Sequence, residues 1–83
     1  MYIPFSVTGC SLELLRTGEQ GIVVFSKTHD QTILEKLRSM GITPGTIITL
    51  EQQFPSAIIQ VGNILFPIDQ ESIRAIYVRV IDS

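Results

Sequence analysis

Ile33, Leu37 and Met40 recur at i, i+4 and i+7, Leu34 widens their stripe, and Glu35, Lys36, Arg38 and Ser39 fall on the opposite side. That period is the signature of an amphipathic helix with one face on a core. The spacing predicts a helix of about three turns. Thr28-His29-Asp30 supplies side-chain oxygens ahead of it. Either Asp30 or Thr32 serves as N-cap, Thr32 with Glu35 three residues on as a capping box. Gly41 follows the last periodic residue and can adopt the left-handed conformation that ends a helix, which places Ile42 against Leu37. Thr43-Pro44-Gly45-Thr46 then carries proline and glycine at the two central positions of a type II turn, whose third residue needs positive φ.

Around this helix the pattern changes to the period of two expected of strands. Gly21 to Lys27 is dense in β-branched residues, with Ile22, Val24 and Ser26 facing one way and Val23, Phe25 and Lys27 the other. Thr46 to Gln52 alternates as well, and Phe54-Pro55-Ser56 makes a turn. Ala57 to Val61 and Ile64 to Phe66 flank Gly62-Asn63, a two-residue hairpin loop of type II′ or I′. Asp69 to Arg74, opened by an N-cap aspartate and early acids, predicts one helical or 3₁₀ turn. Ala75 to Ile81 forms the closing strand. Upstream, Leu12, Leu15, Gly18 and Gly21 recur every three residues as a lead-in loop whose glycines need positive φ or close approach. Met1 to Gly9 is broken by Pro4 and reads as an extended arm or edge strand.

Short strands with turn signals between them and one helix inserted after the first describe a mainly β fold. It is a small, partly open β-barrel with an inserted α-helix and a short helical turn before the last strand. Residues 1–11 are expected to form an arm and residues 12–83 the barrel. The expected core walls are Val24, Ile48, Leu50, Ile59, Val61, Leu65, Ile76 and Val78, closed by Ile33, Leu34 and Leu37.

Composition narrows the functional classes. Eighty-three residues, 45% apolar and 17% charged, are enough for one self-folding domain that hides about 60% of its unfolded surface. The net charge is −2, and the six lysines and arginines are scattered among eight acids. Binding by phosphate neutralisation needs clustered positive charge, so neither nucleic acid nor a polybasic membrane contact is expected. There is no apolar run near 18 residues, so no membrane insertion, and a single cysteine, Cys10, forms no internal disulfide; a cytoplasmic location is expected.

Candidate chemistry is sparse. Gly18-x-x-Gly21 precedes a strand rather than a helix and lacks a following lysine, so it is no phosphate loop. The acid pairs Asp69/Glu71 and Glu51/Asp82 have no feature that would place them in a pocket with raised pKa. The chain reads as no enzyme and as holding no cofactor. The sharper alternative is a metal sensor or carrier, with His29 binding Fe2+ or Zn2+ together with acids from elsewhere in the chain or from a second copy.

The order Leu12-x-x-Leu15-x-x-Gly18-x-x-Gly21, then Lys36-Leu37-x-x-Met40-Gly41-Ile42-x-Pro44-Gly45-Thr46, continued by Ile59-x-Val61-Gly62 and Ile76-x-Val78, resembles the FeoA family, small cytosolic partners of the ferrous iron permease FeoB. Lys36, Met40 and Ile42 stand where that family's signature has arginine, leucine and leucine. The resemblance implies an SH3-like barrel without catalysis that binds the permease's cytosolic portion and modulates its uptake or nucleotide hydrolysis. A related barrel is the C-terminal interaction domain of iron-dependent repressors of the DtxR type. On this reading the partner-binding residues are Lys36, Leu37, Arg38, Met40, Gly41, Ile42, Pro44 and Gly45. Two departures stand out. The family's Pro-x-Gly-Asp-Pro loop is shortened to Pro55-Ser56, and its Ala-Leu-Arg segment is Pro67-Ile68-Asp69, which reverses a charge. The apolar arm with Tyr2, Ile3 and Phe5 lies outside the pattern and is expected to drive self-association by strand addition or exchange.

Overall fold

The computed structural model describes residues 9–81. The expectations that rest on Tyr2, Ile3, Phe5 and Asp82 lie outside the described residues. Six strands and two helices follow in chain order: β1 (Cys10–Ser11), β2 (Gln20–Ser26), α1 (Gln31–Ser39), β3 (Ile47–Gln52), β4 (Ala57–Val61), β5 (Ile64–Ile68), α2 (Gln70–Ala75) and β6 (Ile76–Ile81). A 3₁₀ turn, Leu12–Leu14, joins β1 to the lead-in loop. The strands form one antiparallel sheet in the order β1-β6-β2-β3-β4-β5. Its two edges do not pair, and the result is a mainly β, partly open barrel.

The core is made by the inward rows of that sheet and by three short plugs. Ile48, Leu50, Ile59, Ile76 and Val78 line the wall as expected, and Leu37 of α1 reaches them from outside the sheet. The 3₁₀ turn buries Leu12, and Leu15, the extended residue that ends it, is buried as well. From α2, Ile73 and Ala75 close the remaining end.

Two residues expected in the wall face solvent instead. Val23 pairs with Val78 and Phe25 with Tyr77, so β2 spends one extra residue against β6 at Val24. Such a bulge breaks the alternation, and Val24 is turned out. Leu65 is exposed because Val61 pairs directly with Ile64. That register sends Ile59, Phe66 and Ile68 inward and puts Leu65 beside Gln60 on the outer face. In the loop, Gly62 has φ +64° while no described non-glycine residue has positive φ, which selects type II′ over I′. β5 runs through Pro67, as an edge strand can when the missing N–H faces away from the ladder.

The helical turn before the last strand is present as α2. Its N-cap Asp69 accepts from the Ser72 N–H at 3.4 Å and from the Ser72 hydroxyl at 2.8 Å. Ser72 is fully buried and its hydroxyl is satisfied by this contact.

Candidate functional site

The helix and the turn that follows it form a rigid unit built almost wholly from local hydrogen bonds. At its start Asp30 is the N-cap, accepting from the Thr32 N–H at 2.9 Å, while its own N–H donates to the Thr28 hydroxyl at 3.1 Å. At its end the Ile42 N–H reaches the Leu37 carbonyl at 3.0 Å and the Gly41 N–H the Arg38 carbonyl at 3.0 Å. With Gly41 at φ +81°, this pair of bonds is a Schellman motif. The next four residues make the expected type II turn, with Thr46 N–H on the Thr43 carbonyl at 3.0 Å and Gly45 at φ +95°.

Two further sets of contacts lock this turn onto the barrel. The Gly45 N–H donates to the Val23 carbonyl and the Val23 N–H to the Thr46 carbonyl, both at 2.8 Å. The Thr46 hydroxyl donates to the Gly41 carbonyl at 3.1 Å and accepts from the Thr43 N–H at 3.3 Å. Thr46 therefore clamps the helix exit to the turn. The Pro-Gly-Thr run carried this signal in the sequence, but a hydroxyl at the start of a strand gives no hint of a contact five residues back.

The eight residues predicted to meet a partner divide into three groups by burial. Leu37 and Ile42 are 1% and 4% exposed, and their side chains hold the unit to the core. Lys36, Arg38, Gly41, Pro44 and Gly45 are exposed, and Met40 is half-buried against the core. The Lys36 ammonium lies 2.6 Å from Asp69 Oδ1, so α1 and α2 are joined by the residue that departs from the expected Ala-Leu-Arg segment. The contact with Lys36, followed by that with the Ser72 hydroxyl, lowers the Asp69 carboxyl from 3.8 to about 2. This group is ionised at neutral pH, the reverse of what a general acid needs. Arg38 makes no ion pair among the described residues.

Beside the unit a groove of ≈ 160 Å³ is lined by Ser26, Leu34, Leu37, Arg38, Ile42, Thr43 and Pro44. On the other side of the turn a broader depression runs over Gln20, Ile47, Thr49 and Gln60. Phe25 of β2 stacks on Tyr77 of β6 with ring centroids 4.9 Å apart.

His29 is exposed and lines a groove with Lys27, Asp30, Glu71 and Arg74. Two cations share that groove. Among the described residues no three of His, Cys, Asp and Glu come together in an arrangement able to hold a metal ion. Cys10 is half-buried against the core and free. Glu51 is exposed on β3. Gly18-x-x-Gly21 leads directly into β2. No described helix is long and apolar enough to cross a membrane.

Comparison with known proteins gives a consistent result. Residues 10–80 match the FeoA domain. A protein of Leptolyngbya boryana named "Putative Fe(2+) transport protein A" is 39% identical over 77 residues, 92% of this chain and 94% of that protein. The crystal structure of an iron uptake regulatory protein (FeoA) superposes with a TM-score of 0.78 at 32% identity, covering 87% of this chain and 96% of that one. FeoA of Stenotrophomonas maltophilia, solved in complex with zinc and described as an SH3 domain protein, shares the fold at a TM-score of 0.72 and 19% identity, over 87% of this chain and 88% of that one.

Proposed function

Starting from the premise that this chain belongs to the FeoA family, a family associated with ferrous iron transport, we propose that it is a non-catalytic accessory protein. It binds the cytosolic portion of a FeoB-type permease through the α1 and turn unit and modulates transport. The observation that carries this reading is the unit itself. A Schellman motif, a type II turn and the Thr46 clamp fix its backbone, while Lys36, Arg38, Pro44 and Gly45 stay exposed. A fixed backbone with exposed side chains suits docking, because little is lost to ordering on contact.

A resident metal is not part of the proposal. The donors around His29 are exposed and accompanied by Lys27 and Arg74, which oppose a bound cation. The test is calorimetric titration of the chain with the permease's purified cytosolic portion, with a parallel Fe2+ titration of wild type and His29→Ala. Saturable binding of the permease portion is the expected result, and heat from Fe2+ that disappears in His29→Ala favours the metal-carrier alternative instead. Absence of any binding to the permease portion overturns the docking proposal. Leu37→Asp and Ile42→Asp cannot serve as binding variants, since both side chains are buried.

A further inference from the structure

The groove beside the turn carries a more specific statement about the partner, one that rests on the docking reading above. Its lining is apolar along Leu34, Leu37, Ile42 and Pro44, with the hydroxyls of Ser26 and Thr43 and with Arg38 as the one ionisable side chain. Leu37 and Ile42 form its buried floor. Leu34 is different. It lies on the apolar stripe of α1 and is half-buried, yet it does not join Ile33 and Met40 in packing against the core. Its half-buried side chain leaves apolar wall open on the groove for something else to cover.

Charge singles out what that something is. Four of the described cations sit on or near the two helices. Lys36 is engaged by Asp69 and Arg74 by Glu13. Lys27 lines the histidine groove together with Asp30 and Glu71. Arg38 alone stands over an apolar groove with no carboxylate in the lining and no ion pair among the described residues. On a chain of net charge −2, an acidic partner is repelled by the surface as a whole and attracted at this point, which fixes where it docks. The groove's ≈ 160 Å³ is about the size of a cavity that holds one small apolar group, too small for a helix face.

We infer that this groove receives a single aliphatic side chain from the partner, flanked by a carboxylate that pairs with Arg38. The aliphatic group lies between Leu34 and Pro44, and the acid accepts hydrogen bonds from the guanidinium in the forked geometry that arginine provides.

The experiment is biolayer interferometry of the permease's cytosolic portion against wild type, Arg38→Glu, Leu34→Ser and Arg79→Glu, with urea midpoints showing that each variant is folded. Arg79 is exposed on the outer face of β6 and without an ion pair among the described residues, so it reports unspecific charge. Arg38→Glu is expected to weaken binding by about 30-fold or more and Leu34→Ser by about 10-fold, against about 2-fold or less for Arg79→Glu. Raising salt is expected to weaken wild-type binding and to leave Arg38→Glu little changed or slightly stronger. Wild-type binding with Arg38→Glu and Leu34→Ser both within twofold of it overturns this inference and leaves the docking function standing. No wild-type binding overturns both.

Discussion

Asp69 offers the most quantitative test of how this barrel is held together, because one carboxylate serves two contacts that a conservative variant can separate. It caps α2 through Ser72 and pairs with Lys36 of α1 at 2.6 Å. Asp69→Asn keeps an oxygen for the cap and removes the charge, whereas Asp69→Ala removes both. Lowering the carboxyl pKa from 3.8 to about 2 corresponds, before solvent screening, to roughly 2.4 kcal/mol in favour of the charged form. The two side chains are 46% and 47% exposed, however, and solvent screening reduces the contribution to about 0.5–1 kcal/mol. A carboxyl whose folded pKa lies below its unfolded one stabilises the fold fully above the unfolded value and ceases to do so as pH falls through the folded value. The stability difference between wild type and Asp69→Asn is thus expected to hold from neutral pH down to about pH 4 and to vanish near pH 2. Loss of the cap adds about 1 kcal/mol in Asp69→Ala, with no such dependence on pH. Urea denaturation of the three proteins at pH 7, 4, 3 and 2 measures this, and a double-mutant cycle with Lys36→Met isolates the pair. Parallel curves for wild type and Asp69→Asn across that range would refute the assignment.

Two glycines give opposite tests of the backbone. A Cβ on Gly21 would lie 2.7 Å from Val78 Cγ2 and 2.8 Å from Val78 Cβ, so Gly21→Ala is expected to cost about 1–3 kcal/mol by overpacking. The second change Val78→Ala should then cost less in that background than alone, and simple additivity of the two in urea melts removes the steric explanation. At Gly41 a Cβ meets nothing within 4 Å but φ is +81°, so Gly41→Ala is expected to cost about 1–2 kcal/mol of purely conformational origin. Gly41→Asn should recover part of it. A neutral Gly41→Ala in thermal unfolding argues against the strain.

What could be read from the chain beforehand was whatever depended on neighbours in sequence. The Gly41 stop, the Pro44-Gly45 turn, the Gly62-Asn63 hairpin and the Asp69 cap each involve contacts within five residues, and each emerged in place. Asp30 and Thr32 competed for the cap because both have a suitable oxygen, and only the backbone of Asp30 is extended as a cap requires. The features that escaped depend on contacts between elements far apart in sequence. Val24 looks identical to Val23 until β6 imposes a bulge between Val23 and Phe25. The Lys36 contact joins residues 33 positions apart. Within the candidate site, Leu37 and Ile42 were recognisable as signature positions, but periodicity alone does not distinguish a residue that fixes a surface from one that presents it.

Burial in this fold leaves little room for ionisable groups inside the core. Fourteen apolar residues form the buried set among the described residues, and Ser72 is the one polar member. Its hydroxyl is already committed to Asp69. A reactive site needs several ionisable groups withdrawn from water and held by partners, and each carries a desolvation cost of a few kcal/mol when imperfectly paired. A domain of 83 residues has a small surplus of hydrophobic stabilisation from which to offset that cost. Here the polar side chains of Thr28, Asp30, Thr46 and Asp69 serve helix ends and turns. The groups left over, Arg38 above all, lie outside the core, where on the docking proposal they discriminate between partners at little cost in stability.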